Sequence, residues 1–361
     1  MPAGPAGRDP VEATSDYRKP FYYLLADELN VILVNARQVK NLPGRKTDVS
    51  DAAWLAQLGA HGLVRPSFVP PQPVRELRDL TRARTQMTRE RGQIVQRLEK
   101  LLEDTGIKLS AVASDIMGVS GRAMLEALTG GEHDPQVLAE LARRKLRNKI
   151  PELTEALTGR FRAHHAFLTR LHLDHYDQLT DAIRQLDARI EEAMTPFRGA
   201  LDLLDTVPGI NRAVAEVIIA ETGGDMSRFA SARHLASWAG VCPGHHESAG
   251  RTKNTKVRPG NPYLKGALGL AALGAVRTKD TYLQARYKRL TARRGPLRAL
   301  VAVEHSIITA IWHMLTDHVP YQEVGGTYFT QRDPERATRR AITALNQLGY
   351  TITLNPLDSA A

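Results

Sequence analysis

Ser248 lies in the stretch Trp238-Ala-Gly-Val-Cys-Pro-Gly-His-His-Glu-Ser-Ala-Gly-Arg251, a polar loop flanked by glycines. A serine hydroxyl attacks phosphorus only where cations stabilise the developing charge and a base or metal activates the oxygen. Arg251, Lys253, Lys256 and Arg258 follow directly and supply candidate cations, with Lys265 further on. The alternative is a solvated loop serine. A second group is acidic: in Lys46-Thr-Asp-Val-Ser-Asp-Ala52 the carboxyls of Asp48 and Asp51 open a helix pattern. Their spacing puts both on one face at a metal-bridging separation. Acids in a first turn also complement the helix dipole, which explains them without a metal. Glu12 falls at the end of a strand-like segment. Third, Val207-Pro208-Gly209-Ile210 precedes a helix pattern. Such a turn offers amides at a helix N-terminus that hold phosphate, as helix-hairpin-helix motifs do, or is merely tight. The adjacent His245 and His246 point apart and lack matched partners. Cys242 reads as buried rather than reactive, and His172 with His175 as helix surface.

Charge narrows the partner. Of 49 Lys and Arg residues, thirteen fall between Arg251 and Arg298 beside a single acid, Asp280. The other 36 basic residues face 38 acids, so this window alone carries the +10 excess. A merely solvated face intersperses acids; here they are missing, and a polyanion, by default nucleic acid, is the implied ligand. One cysteine excludes a disulfide framework and fits a reducing cytoplasm. The N-terminus has no apolar signal-peptide core. The longest uncharged apolar run, 266–276, is too short to span a bilayer.

The elements that must position these residues read as mostly α, with a partial α/β segment up to about residue 65. There a helix pattern at 17–29 precedes the strand-like Val31-Ile-Leu-Val34 and a helix over 47–59. Four prolines within 66–73 mark a boundary. Residues 74–199 read as a helical arm. Leu80, Met87, Ile94 and Leu101 recur seven apart, with Leu77 and Leu98 as companions and Arg84 and Arg91 interrupting them. Shorter helices follow, and a second long helix is expected over 151–197. The two long helices would pair as an antiparallel coiled coil. A third unit spans 200–320. The remainder, 321–361, holds one amphipathic helix at 334–348 and a strand-like end at 350–354.

Together these pieces resemble the DEDD-type bacterial insertion-sequence transposases of the IS-one-ten family. The resemblance rests on Val11-Glu-Ala-Thr14 with Tyr17, Asn35-Ala-Arg-Gln-Val39 and Lys46-Thr-Asp-x-x-Asp-Ala52. Further along it rests on Val207-Pro-Gly-Ile210, Ala220-Glu-Thr-Gly223, Phe229, Leu235-Ala-Ser-Trp-Ala-Gly240, Pro243, Ser248-Ala-Gly250 and Gly260-Asn261. It implies a ribonuclease-H-like N-terminal domain, a coiled-coil arm that joins copies into a homo-oligomer, and a C-terminal domain with an essential serine.

Carried over by motif, Glu12, Asp48 and Asp51 would be the second, third and fourth acids of a tetrad that holds magnesium. Ser248 would be the nucleophile of a serine-mediated strand exchange. Gly209, Arg251, Lys253, Lys256, Arg258 and Lys265 would contact nucleic acid. The partners implied are DNA and an element-encoded guide RNA. The family's first Asp precedes the Glu by some tens of residues. Asp9, in a Gly/Pro setting without a strand pattern, is not taken for it. The resemblance thus implies a chain shortened at its start, with weakened magnesium binding. Two other readings are a chain that only binds DNA or RNA, and a junction-type nuclease needing the acids but not Ser248.

Overall fold

The apolar run Val31-Ile-Leu-Val34 has no polar alternation, the pattern of a strand covered on both faces. It forms β2 (Val31–Val34), parallel to β1 (Asp9–Glu12) in register from Asp9↔Val31 to Glu12↔Val34. Between them runs α1 (Arg18–Ala26), making a βαβ unit, followed by α2 (Asp48–Ala60), which packs on β1. The computed structural model describes residues 9–12, 18–34, 48–64, 66–67, 69–244, 246–254 and 256–354, without the side chains of 18, 48, 246–248 and 252–254. The motif positions 13–14, 17, 35–39 and 46–47, and His245, lie outside the described residues.

Asp9 corrects the sequence reading, because it opens β1 and its N–H donates to the Asn30 carbonyl at 3.1 Å. Pro10 hides the strand in the sequence. It is tolerated because an edge strand need not donate on its free side. The chain divides into two compact units, 1–72 and 73–361.

The second unit begins with the arm. The 34-residue α3 (Gln72–Thr105) leads to a helical tip of α4 (Leu109–Val112), α5 (Val119–Thr129), α6 (Pro135–Glu140) and α7 (Ile150–Ala156). The chain returns along α8 (Ala163–Ala193). Arg84 meets Asp187, Arg91 meets Thr180, and Asp104 meets His165, so α3 and α8 are antiparallel. The expected helix over 151–197 is interrupted. Residues 157–162 fold back on the end of α3, with Lys108 N–H donating to the Ala156 carbonyl (2.8 Å) and Arg160 N–H to that of Thr105 (2.7 Å). Gly159 makes this close, since a Cβ there would lie 2.6 Å from Ile107.

Burial on α3 also departs from the sevenfold series. Ile94 is buried, but the other buried residues are Val74, Leu77, Thr81, Arg84, Leu98, Leu102 and Thr105, with Leu80, Met87 and Leu101 only half-buried. Leu98, Leu102, Ile107, Leu125, Leu128, Leu138, Leu153 and Leu173 form the core of the arm tip.

A separate core holds the C-terminal helices: α9 (Arg198–Asp205), α10 (Arg212–Thr222), α11 (Ala232–Ala239), the hairpin β3 (His246–Ser248) and β4 (Arg251–Asn254), α12 (Pro262–Ala275), α13 (Tyr282–Arg294) and α14 (Pro296–Asp317). Side-chain caps fix several starts: Asn211 for α10, Ser231 for α11, Asn261 for α12 and Thr281 for α13. By length and composition α14 could cross a membrane, although Arg298 and Glu304 interrupt its apolar run. In this fold it is a core helix, burying Val303, Ile307, Ile308, Ile311 and Met314. The short α15 (Tyr328–Gln331) and α16 (Pro334–Gln347) end the regular structure. Residues 350–354 form no strand; the Tyr350 N–H instead donates back to the Leu345 carbonyl at 3.1 Å, at the end of α16.

Candidate functional site

Ser248 ends β3 directly opposite Arg251, the first residue of β4. Only Ala249 (φ 51°) and Gly250 (φ 72°) separate the strands. Two left-handed residues define a tight hairpin turn whose twist matches its strands. Gly250 adopts this freely, whereas Ala249 is strained by its Cβ. The serine backbone is therefore held at a corner, within one cross-strand step of a guanidinium-bearing residue.

The hairpin stem is closed by backbone crossing backbone. Gly240 (φ 77°) caps α11 and Gly260 (φ 61°) precedes α12. A Cβ on Gly240 would lie 2.8 Å from Gly260 Cα, and one on Gly260 2.6 Å from Gly240 Cα. Only glycine at both positions permits the crossing.

Beside it, Asn261 works in two directions. Its side-chain oxygen accepts the Tyr263 and Leu264 N–H groups at 3.0 and 3.1 Å, while its Nδ2 donates to Glu221 Oε2 at 2.6 Å. Glu221 is fully buried and receives a two-pronged Arg82 guanidinium at 2.7 and 2.9 Å. Arg78 Nε lies 3.2 Å away, and its Nη2 donates to the Glu221 carbonyl at 2.7 Å. Burial opposes charge on Arg82, but the Glu221 hydrogen bond and charge outweigh it and raise its pKa. Arg82 also stacks over Tyr263, 4.7 Å from the ring centre. A second buried pair lies alongside: Arg84 donates to Glu216 at 2.6 Å, and Arg212 reaches the other Glu216 oxygen at 3.0 Å. The arginine that breaks the heptad series thus fastens the arm to the serine-bearing domain. The serine hairpin, Asn261, Glu221 and the root of α3 form one connected body.

Among the cations, Arg251, Lys256 and Arg258 are exposed, and Arg258 donates to Ser237 Oγ at 2.6 Å. Lys265 is half-buried, with its Nζ 3.4 Å from the Arg258 carbonyl oxygen. Near it lies Glu304, buried, whose Oε2 has no hydrogen-bond partner among the described residues. Burial pushes this carboxyl's pKa up, and the nearby Lys265 charge partly opposes the shift. Sequence reasoning missed Glu221 and Glu304 as site residues; a lone acid in an apolar helix segment was the available signal. Burial also raises the Cys242 thiol, with Arg258 opposing, in line with an unreactive role. His172 is pushed down by burial and by Arg97 and His175.

Gly209 (φ 90°) forms the turn between α9 and α10, half-buried. A Cβ there would run into the Ala271 carbonyl and the Ala275 amide of α12, so one side of the turn is committed to packing. Glu12 closes β1, and Asp48 and Asp51 lie in the first turn of α2, which packs on β1. Their donors are hard oxygens that suit magnesium. Among the described residues no three His, Cys, Asp or Glu side chains cluster closely enough to hold an ion, and the side chain of Asp48 is not among those described.

The model of the transposase IS116/IS110/IS902 family matches residues 201–288, and the DEDD transposase model of the IS110 type matches residues 8–107. The chain thus carries transposase domains of the IS110/IS116/IS902 family, with the DEDD domain toward its N-terminus. It is 28% identical over 323 residues to the insertion element IS900 uncharacterized 42 kDa protein of Mycobacterium paratuberculosis, covering 82% of this chain and 79% of that relative. It is 28% identical over 328 residues to the IS116 uncharacterized 44.8 kDa protein of Streptomyces clavuligerus, covering 81% and 78%. A pilin gene-inverting protein of Moraxella bovis is 28% identical over 156 residues, 42% of this chain and 48% of that protein. Transposition of DNA is the activity class, and DNA the partner.

Proposed function

We propose that the protein excises and integrates its insertion sequence by serine-mediated strand exchange. Ser248 Oγ attacks a DNA phosphodiester; an O–P bond to serine forms as the bond to the departing deoxyribose oxygen breaks, and that oxygen takes up a proton. The hydroxyl of a second strand then attacks the same phosphorus and releases the serine. The bond energy stays in the phosphoserine link, so no hydrolysis is needed.

One observation carries this reading: Ser248 stands at the corner of a two-residue hairpin, paired with Arg251, at the start of the basic window. Arg251, Lys253, Lys256, Arg258 and Lys265 would stabilise the phosphate, and the Gly209 turn would contact the backbone. Glu12, Asp48 and Asp51 would hold magnesium, which supplies charge neutralisation at phosphate oxygens. The parallel β1-α1-β2 segment would belong to a ribonuclease-H-like domain. Exposed Phe167, Leu168 and Leu171 on α8 favour a homo-oligomer through a coiled-coil arm. A guide RNA would share the basic surfaces with DNA, and the site of action would be cytoplasmic.

Excision of a marked element by Ser248→Ala, measured beside Asp48→Ala, is the test. Both variants are expected to lose excision and circle formation. Retained excision in Ser248→Ala removes the serine from the mechanism. Cleavage of branched DNA that survives Ser248→Ala and fails in Asp48→Ala makes the protein a junction-type nuclease.

A further inference from the structure

Beyond the strand-exchange site, the C-terminal tail carries a helix that no other described residue buries. Its root is fastened to the start of α13, the arginine-rich helix of the basic window. Glu323 Oε1 accepts the Tyr282 N–H at 2.7 Å and the Gly325 N–H at 2.8 Å, and Gly326 N–H donates to the Asp280 carbonyl at 2.9 Å. The Tyr282 ring meets Tyr328 edge-on (5.2 Å) and stacks on Phe329 (5.3 Å), and Arg289 lies 4.6 Å above the Phe329 ring. The tail is thus anchored by side chains beside Lys288, Arg293 and Arg294, all exposed.

From this anchor α16 extends with its start fixed by Asp333, which accepts the Arg336 N–H, and by Pro334 in the first turn. No residue of α16 is buried. Arg336, Arg339, Arg340, Thr343 and Gln347 recur at helical spacing on one face and line one open hollow together with Asp333 and Ala344. Among the described residues none of the three arginines has a carboxylate within salt-bridge distance. After Glu335 the helix contains no acid.

A helix of this length with no buried face is marginal in water by itself, so its surface is built for something outside the chain. Three unpaired guanidiniums identify that partner as a polyanion. Thr343 and Gln347 add neutral donors and acceptors suited to base edges or sugar-phosphate. Single-stranded RNA is recognised largely by stacking on aromatics, and α16 has none. An interfacial membrane helix needs a broad apolar face of Trp, Phe or Leu; the face of α16 opposite its arginines is mostly alanine, with Ile342 and Leu345 its only large apolar residues. We propose that α16 is a duplex-DNA-binding helix that extends the basic surface of α13, with Arg336, Arg339 and Arg340 on phosphates.

The test is a salt titration of the full chain against a fluorescein-labelled DNA duplex several turns long. Replacing all three arginines by alanine, the best helix former, keeps the helix, which circular dichroism checks. The variant is expected to bind at least about tenfold more weakly at low salt, with the slope of log affinity against log salt reduced by about 2 to 3. A triple Arg→Lys variant is expected to keep most of the slope. Unchanged affinity and slope in the alanine variant overturn the proposal, as does a wild-type chain that does not bind duplex. So does a loss seen only with single-stranded RNA or with anionic phospholipid vesicles.

Discussion

Glu221 and Glu304 show how differently one side-chain type behaves under burial. Glu221 has two arginines and an asparagine on its carboxylate, so its charge is matched. Removing it leaves Arg78 and Arg82 facing a void, and breaking a buried pair from one side destabilises by about 3–5 kcal/mol. Glu221→Ala is therefore expected to lower stability in urea unfolding by about 3 kcal/mol. Glu221→Gln, which keeps the Asn261 contact in reach, should lose less. An equal loss in both would show that charge, not shape, holds the arm.

Glu304 has the reverse problem, with one oxygen unpartnered among the described residues. Its pKa is raised in the folded chain, so the folded state holds its proton more tightly than the unfolded state. The associated stability is present below the ordinary carboxylate range and is lost as pH rises through the raised value. Glu304→Gln should melt above the wild type at neutral pH, with the gap closing as the buffer is made acidic. A gap independent of pH would mean that Glu304 does not titrate in this range.

At the scale of elements, glycines set the spacing. The α9–α10 turn packs onto α12 because Gly209 and Gly274 have no side chains; a Cβ on Gly274 would lie 2.9 Å from Gly209 Cα. The obstruction facing Gly209 is backbone, which cannot rotate away. Gly209→Ala is expected to destabilise the C-terminal core by about 2 kcal/mol or more, combining overpacking with a disfavoured left-handed alanine. A melting temperature unchanged from wild type would refute that packing.

This also marks what the sequence could and could not say. Val207-Pro-Gly-Ile210 signalled a turn before a helix, and that turn is there; that Gly209 serves the approach of α12 needed a partner more than sixty residues away. The interruption of the heptad by Arg84 was visible, but Glu216, its partner, lies in another domain of the sequence. Asp9 was misread because Pro10 argues locally against a strand, while edge position decides the outcome. Local periodicity placed α3, the β2 strand and the amphipathic tail helix. The break between α7 and α8 depends on contacts with the far end of α3; Gly159 is its local signal, and a lone glycine inside a helical pattern does not by itself end the helix.

At the scale of the whole C-terminal unit, two hydrophobic cores share no residue, one at the arm tip and one around α14. They are connected by two antiparallel helices whose root is fixed by Glu221 and Glu216. At 1.5 Å per residue, the 34-residue α3 is about 51 Å long. The arm therefore works as a lever: a tilt of about 5° at its root would carry its end through roughly 4 Å, about one residue's rise along a strand. Because Asn261 directly follows Gly260, whose backbone crosses Gly240 at the hairpin stem, a displacement imposed on the distant tip would reach the base of the Ser248 turn as torque.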